Sequence, residues 1–155
     1  MKRAFFLLLA FIGLAGCASQ QPLPKSERQY QKIVDVSGSK QELYTRTLEW
    51  LARSFGSSKE VIQFSDPDQA KVIGKGIMKV NYTITPVDTH FTLTIEIRDN
   101  RARFTFDQLY TEPNATLLPE RMFLENRAQM EKFSIRASML IEDWKKYVSN
   151  NTDNW

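Results

Sequence analysis

Few residues of this 155-residue chain have the type and spacing that chemistry needs. There is one histidine, His90, and one cysteine, Cys17. A Ser-His-Asp relay would need His90, yet no Gly-x-Ser-x-Gly elbow presents a nucleophile. His90 sits on the polar side of an alternating stretch, as an exposed strand histidine does. Zinc sites built on His and Cys are excluded with one of each. Gly74-Lys75-Gly76 lacks the third glycine of a dinucleotide loop, because Lys79 stands there, and Gly38-Ser39-Lys40 has the wrong order for a phosphate loop. Asp66 and Asp68 flank Pro67; a calcium loop needs more oxygens and a closing glutamate, so a turn is the better account. Nothing singles out a carboxylate pair for glycoside hydrolysis. The expectation is a protein that is not an enzyme and uses no cofactor or metal.

Cys17 differs because of what precedes it. Lys2 and Arg3 form a basic start, Ala4 to Leu14 is apolar apart from Gly13, and small residues lead to the cysteine. That is the layout of a secretory signal. The apolar run is about 11 residues, against roughly 20 for a bilayer span, so a retained transmembrane helix is not expected. Leu14-Ala15-Gly16-Cys17 resembles the lipobox of bacterial lipoproteins. The resemblance implies cleavage before Cys17, a diacylglycerol on its thiol and acylation of the new amine. Ala18, rather than Asp, follows. By resemblance to the enterobacterial class, this points to the outer membrane in a cell with two membranes. The expected location is the cell envelope, with the membrane reached through the lipid.

Cleavage there leaves 139 residues (155 − 16), enough for one domain with one core. The net charge of +3 overstates the folded body, because Lys2 and Arg3 leave with the signal; 19 basic residues then face 18 acidic ones. The charge balance therefore does not argue for nucleic-acid binding. A lone cysteine excludes an internal disulfide. The hydrophobic share of 42% argues for a folded domain rather than disorder.

The elements follow in order. Residues 18–28 are polar, with Pro22 and Pro24, and read as a linker. Tyr30 to Val36 is a first strand. Ser39 and Glu42 form a capping box that opens a helix running to Phe55 and ending at Gly56. Its buried side is Leu43, Tyr44, Thr47, Leu48, Trp50, Leu51 and Phe55. A short strand, Val61 to Phe64, and a turn at Asp66-Pro67-Asp68 precede a strand from Lys71 to about Thr85. In that strand Val72, Gly74, Gly76, Met78, Val80, Tyr82 and Ile84 face the core. Gly74 and Gly76 call for a close-packed helix or a bulge. Phe91, Leu93, Ile95 and Ile97 point inward on the next strand, and Ala102, Phe104 and Phe106 on the one after, with Asp99-Asn100 as a tight hairpin between them. Thr111 to Pro119 is a loop. A helix from about Arg121 to Val148 carries the stripe Phe123, Met130, Phe133, Ala137, Leu140, Ile141, Trp144 and Val148.

These elements predict an α+β, two-layer domain: an antiparallel sheet with two helices packed on one face, in the order β-α-β-β-β-β-α. The expected organisation is a signal peptide over 1–16, lipidated cysteine and linker over 17–28, the domain over 29–148 and a disordered tail over 149–155. Glu42-Leu43-Tyr44, Glu49 to Phe55, Val61-Ile62-Gln63 and Val72-Ile73-Gly74-Lys75-Gly76 resemble a bacterial domain of unknown function with a fold like the TATA-box-binding protein. The resemblance covers roughly Tyr30 to Tyr110. It implies a TBP-like fold and an exported or lipid-anchored chain, and no chemistry. The namesake's DNA binding is not carried over.

Two surfaces remain as candidates. On the open sheet face Lys71, Lys75, Lys79, Arg98, Arg101 and Arg103 stand against Glu96 and Asp107, a net of +4 on a nearly neutral body. Such a face suits an anionic glycan, a lipid headgroup or a peptide strand, with Lys75, Lys79, Arg98, Arg101 and Arg103 as ligand-binding residues; a solvated face is the alternative. On the last helix Leu124, Ala128, Ile135 and Met139 fall off the main stripe, and Ile135 and Met139, one turn apart, are a candidate partner contact. The function expected first is a non-catalytic, membrane-anchored envelope lipoprotein that binds or scaffolds through its domain surface. A ligand-binding domain for an anionic glycan or lipid is the alternative, and a hydrolase acting on an envelope substrate the remote one.

Overall fold

The computed structural model describes residues 22–55, 61–82, 84–112 and 121–150. Cys17, the lipobox, Gly56 and the tail after Asn150 lie outside the described residues. The elements are β1 (Tyr30–Asp35), α1 (Lys40–Ser54), β2 (Ile62–Asp66), β3 (Lys71–Val80), β4 (Val87–Arg98), β5 (Arg101–Thr111), β6 (Met122–Phe123) and α2 (Arg127–Ser149). All the pairings are antiparallel, in the order β1-β5-β4-β3-β2. The short β6 pairs with Tyr110 and Thr111, beyond the stretch of β5 that β1 covers. One face of the sheet carries both helices, as the alternation of apolar residues requires.

The core lies between that face and the helices. Phe104, Phe106, Phe133, Ile141 and Trp144 are fully buried, with Leu43, Trp50 and Leu51 from α1. Trp144 packs edge-on against Phe104, ring centres 4.9 Å apart, and Phe91, Phe106 and Phe133 form a tilted cluster beside them. The helices are tied by their indoles: Trp50 Nε1 donates to Asp143 at 2.8 Å, and Trp144 Nε1 donates to Thr47 Oγ1 at 3.0 Å. Arg46 reaches the carbonyls of Val148 and Asn150 at the end of α2.

Local chemistry sets the element ends. Ser39 Oγ accepts the Glu42 amide, and Asp99 Oδ1 accepts the Lys40 amide at 2.7 Å, so the hairpin turn helps cap α1. In that turn only Asn100 has positive φ (61°), and its side chain accepts the Gly38 amide. The expected strand to Thr85 ends at Val80, because Val80 pairs with Val87 and residues 81–86 must make the connection. Ile84, read as core, is therefore 100% exposed. The last helix starts at Arg127 rather than near Arg121. Asn126 and Gln129 form a reciprocal capping box there, and Met122–Phe123 is drawn into the sheet instead. Phe123 consequently leaves the buried stripe and is 53% exposed, while Leu124 is buried, its amide bonded to the Leu109 carbonyl. The end of the expected linker is also fastened: the Leu23 amide donates to the Glu125 carbonyl, and Arg28 pairs with Glu125.

Gly74 and Gly76 have separate causes. A Cβ on Gly74 would sit 3.0 Å from the Val61 carbonyl, where β2 begins with a register shift. A Cβ on Gly76 would lie 2.4 Å from Phe91 Cζ and 3.1 Å from Phe55 Cε1. Gly76→Ala therefore overpacks the core and should cost about 1–3 kcal/mol. Gly74→Ala should be near neutral, because the edge strand can shift by tenths of an ångström and the unfolded chain loses freedom. Urea midpoints of the two variants check the ranking; equal midpoints would show that the Phe91 ring gives way.

Candidate functional site

The open face is built from rows that cross the strands in register. One row is Asp66, Lys71, Glu96, Arg103 and Ile33; another is Ile77, His90, Tyr110 and Phe123. The first is an alternating ionic row, in which Arg103 holds Glu96 at 2.6 Å. The second is apolar and aromatic. His90 stacks on Tyr110 with ring centres 4.8 Å apart and planes 9° from parallel, and the Arg121 guanidinium lies 4.3 Å from the Tyr110 ring centre. His90 thus keeps its expected place on an exposed strand face, with a ring partner that the local sequence did not reveal.

The positive charge read from the sequence is diluted by residues from neighbouring strands. Asp35 faces Arg101 at 3.7 Å, Asp66 lies opposite Lys71 and Asp88 opposite Lys79. With Glu96 and Asp107, five carboxylates meet six cations, so the face carries +1 rather than +4. Asp66 Oδ1 also accepts the amides of Asp68 and Gln69, so this acidic pair does build a turn. Among the described residues no three His, Cys, Asp or Glu side chains come close enough to hold a metal.

The five basic candidates divide into two places. Arg98, Arg101 and Arg103 surround a hollow of about 380 Å³ at the hairpin end, with Lys40, Gln69 and Glu96. Lys75 and Lys79 lie toward the other end of β3, whose second half joins the outer side of α2. There Ile77, Met78, Lys79, Arg136, Met139 and Leu140 line a groove of about 580 Å³, floored by Phe55. Lys79 and Arg136 continue into a second hollow of about 410 Å³ with Lys132 and Ile135. Ile77, Ile135 and Met139 are 55%, 60% and 56% exposed. Lysines from the sheet and apolar residues from the last helix, read separately in the sequence, therefore form one surface. Its missed members are Ile77, Lys132 and Arg136; the alternation of Lys75, Ile77 and Lys79 was the available signal.

Asp107 is the strained group of the open face. Its Oδ1 is buried without a hydrogen-bond partner among the described residues, and burial raises its pKa above the usual carboxylate range. It precedes Gln108, which has a φ of 50° where β5 slips against β4 between His90 and Thr92. Tyr82 is also shifted: burial pushes its phenol up to about 12, partly offset by the hydrogen bond with Thr89.

Residues 30–112 match the family described as a domain of unknown function (DUF4468) with TBP-like fold. The chain belongs to this family. The matched stretch runs from β1 to the end of β5 and stops before α2. Two solved structures share the fold of this DUF4468 chain. A TBP-like protein from Parabacteroides distasonis is 12% identical, with a TM-score of 0.63 over 79% of this chain and 92% of that one. A DUF4468 family protein from Bacteroides ovatus is also 12% identical, with a TM-score of 0.55 over 88% of this chain and 95% of that one. At that identity the likeness establishes the fold alone. A comparison with curated proteins found no match.

The Asp107 geometry has a pH signature. A pKa raised in the folded state means that stability from this group is present below the unfolded carboxylate pKa and is lost as pH rises through the folded value. Asp107→Asn should therefore raise the melting temperature at pH 7 and lose that advantage near pH 3. A variant no more stable than the parent at pH 7 would show that water satisfies the carboxylate.

Proposed function

We propose that this protein is a non-catalytic envelope lipoprotein, anchored through Cys17, whose TBP-like domain binds another macromolecule close to the membrane. The location rests on Leu14-Ala15-Gly16-Cys17 and the apolar run before it. The observation that carries the binding role is the groove between β3 and α2, where Ile77, Ile135 and Met139 stay more than half exposed within a rim of Lys79, Lys132 and Arg136. Single exposed apolar residues are ordinary, but two elements contributing to one apolar strip with a charged rim is the pattern of an interaction surface.

Mass spectrometry of the native polypeptide should find the leader removed and Cys17 carrying fatty acyl groups. Cys17→Ser should move the protein out of the membrane fraction. An intact leader, or a free thiol at Cys17, would remove the basis for the envelope location. For the binding role, crosslinking in living cells from the wild-type anchored chain should capture a reproducible envelope partner. Monomer alone, from every surface position tried, would count against it.

A second reading, binding of an anionic glycan or lipid, is favoured by the hollow that Arg98, Arg101 and Arg103 share. It expects salt-sensitive retention on phosphatidylglycerol vesicles that falls several-fold in the Arg98→Ala, Arg101→Ala double variant. Retention unchanged by salt and by the substitutions would remove it.

A further inference from the structure

β2 pairs with β3 only over Lys71–Gly74, while β4 pairs with β3 along its whole length. Among the described residues, Lys75–Val80 therefore has no strand on its outer side. It is held in extended form by β4 and offers outward N–H and C=O groups at every second residue. At about 3.3 Å per residue this edge is on the order of 20 Å long, room for a five- or six-residue strand. The apolar groove with α2 runs alongside it. We propose that this edge takes up an extended acidic segment of a partner protein as an added strand. The proposal rests on the binding role above and names its surface and its partner's chemistry.

Charge selects the occupant. Lys75 and Lys79 flank Ile77 on one side of the edge, and Lys132, which donates to the Tyr82 carbonyl, and Arg136 share a hollow with Lys79. Asp88 opposes Lys79 in the sheet, and the Asp143 carboxylate is engaged by the Trp50 indole at 2.8 Å. A second copy pairing antiparallel about Ile77 would set Lys75 of one chain opposite Lys79 of the other, a like-charge contact at both ends. A strand with carboxylates two residues either side of an apolar one reverses both contacts. Its central residue covers Ile77. The neighbours of that residue turn to the other face, toward Gly76, which has no side chain, and half-buried Met78. Backbone pairing supplies affinity, and the alternate side chains supply specificity.

The test uses the full-length protein in detergent micelles and two capped peptides, Ser-Glu-Val-Ile-Val-Glu-Ser and its counterpart with Lys for both Glu. The glutamate peptide should slow amide exchange within residues 75–80 at least tenfold, and the lysine peptide should not. Lys75→Glu with Lys79→Glu, both exposed positions, should reverse that preference, which also shows that the variant is folded. Slowing by neither peptide, equal slowing by both, or slowing only with phosphatidylglycerol vesicles overturns the proposal. A photo-crosslinker placed at Ile77 or at Ile33 separates it from the broader reading. Envelope products from Ile33 but not Ile77 sink this edge alone, whereas monomer alone from every surface position tried sinks both.

Discussion

Two tryptophans hold the helical layer together, and each needs the other helix to satisfy its ring N–H. Trp144 rests on Phe104 and donates to Thr47 of α1; Trp50 donates to Asp143 of α2. A buried indole N–H without an acceptor costs about 1–3 kcal/mol, so each helix docks more favourably with the other in place. Thr47 Oγ1 in turn donates to the Leu43 carbonyl at 2.6 Å, which fixes its orientation for the indole. The reciprocal bonds set the rotation of α2 about its axis. Once Phe133, Ala137, Ile141 and Trp144 face the sheet, Ile135 and Met139 must face out beside β3.

The strand order imposes the second constraint. β1 and β2 lie on opposite flanks of the sheet, so α1, which joins them, has to cross the whole layer. The returning chain begins β2 opposite Gly74, midway along β3, and runs from there to the turn at Pro67, so it pairs only with Lys71–Gly74. Among the described residues, no strand pairs with the outer side of the rest of β3. Lysines on that edge discourage self-association. In the proposed strand addition the same charges select an oppositely charged segment, so one device would serve both purposes.

Much of this was legible. The alternation in β4 and β5 placed every inward residue correctly from Phe91 to Phe106, because one face of each strand is fully covered and period two cannot then be mistaken. The α1 stripe and the Ser39 cap were equally plain. The start of α2 was not, although Asn126 and Gln129 formed a readable capping pair; Phe123, in phase with the apolar stripe, drew the periodic reading six residues too far back. Ile84 was misplaced for a similar reason, since alternation continues past the point where pairing ends. For the surface, Ile135 and Met139 are visible in the sequence as off-stripe residues, whereas Ile77, between Lys75 and Lys79, carries no local sign that it joins them.

By itself the sequence determined the inward residues of β4 and β5 and the buried stripe and Ser39 cap of α1, and it raised the expectation of lipidation at Cys17. Those properties depend on neighbours within a few residues: side-chain period, cap chemistry and local hydrophobicity. Tertiary structure decided the charge of the open face most clearly at Asp35, which β1 brings opposite Arg101 from far along the chain, whereas Asp66 and Asp88 oppose Lys71 and Lys79 across short connections. It alone also decided that Lys75, Ile77, Ile135 and Met139 share one surface. Strand order and helix rotation are set by long-range packing, and pairs separated by some sixty residues leave no periodic trace in a single chain.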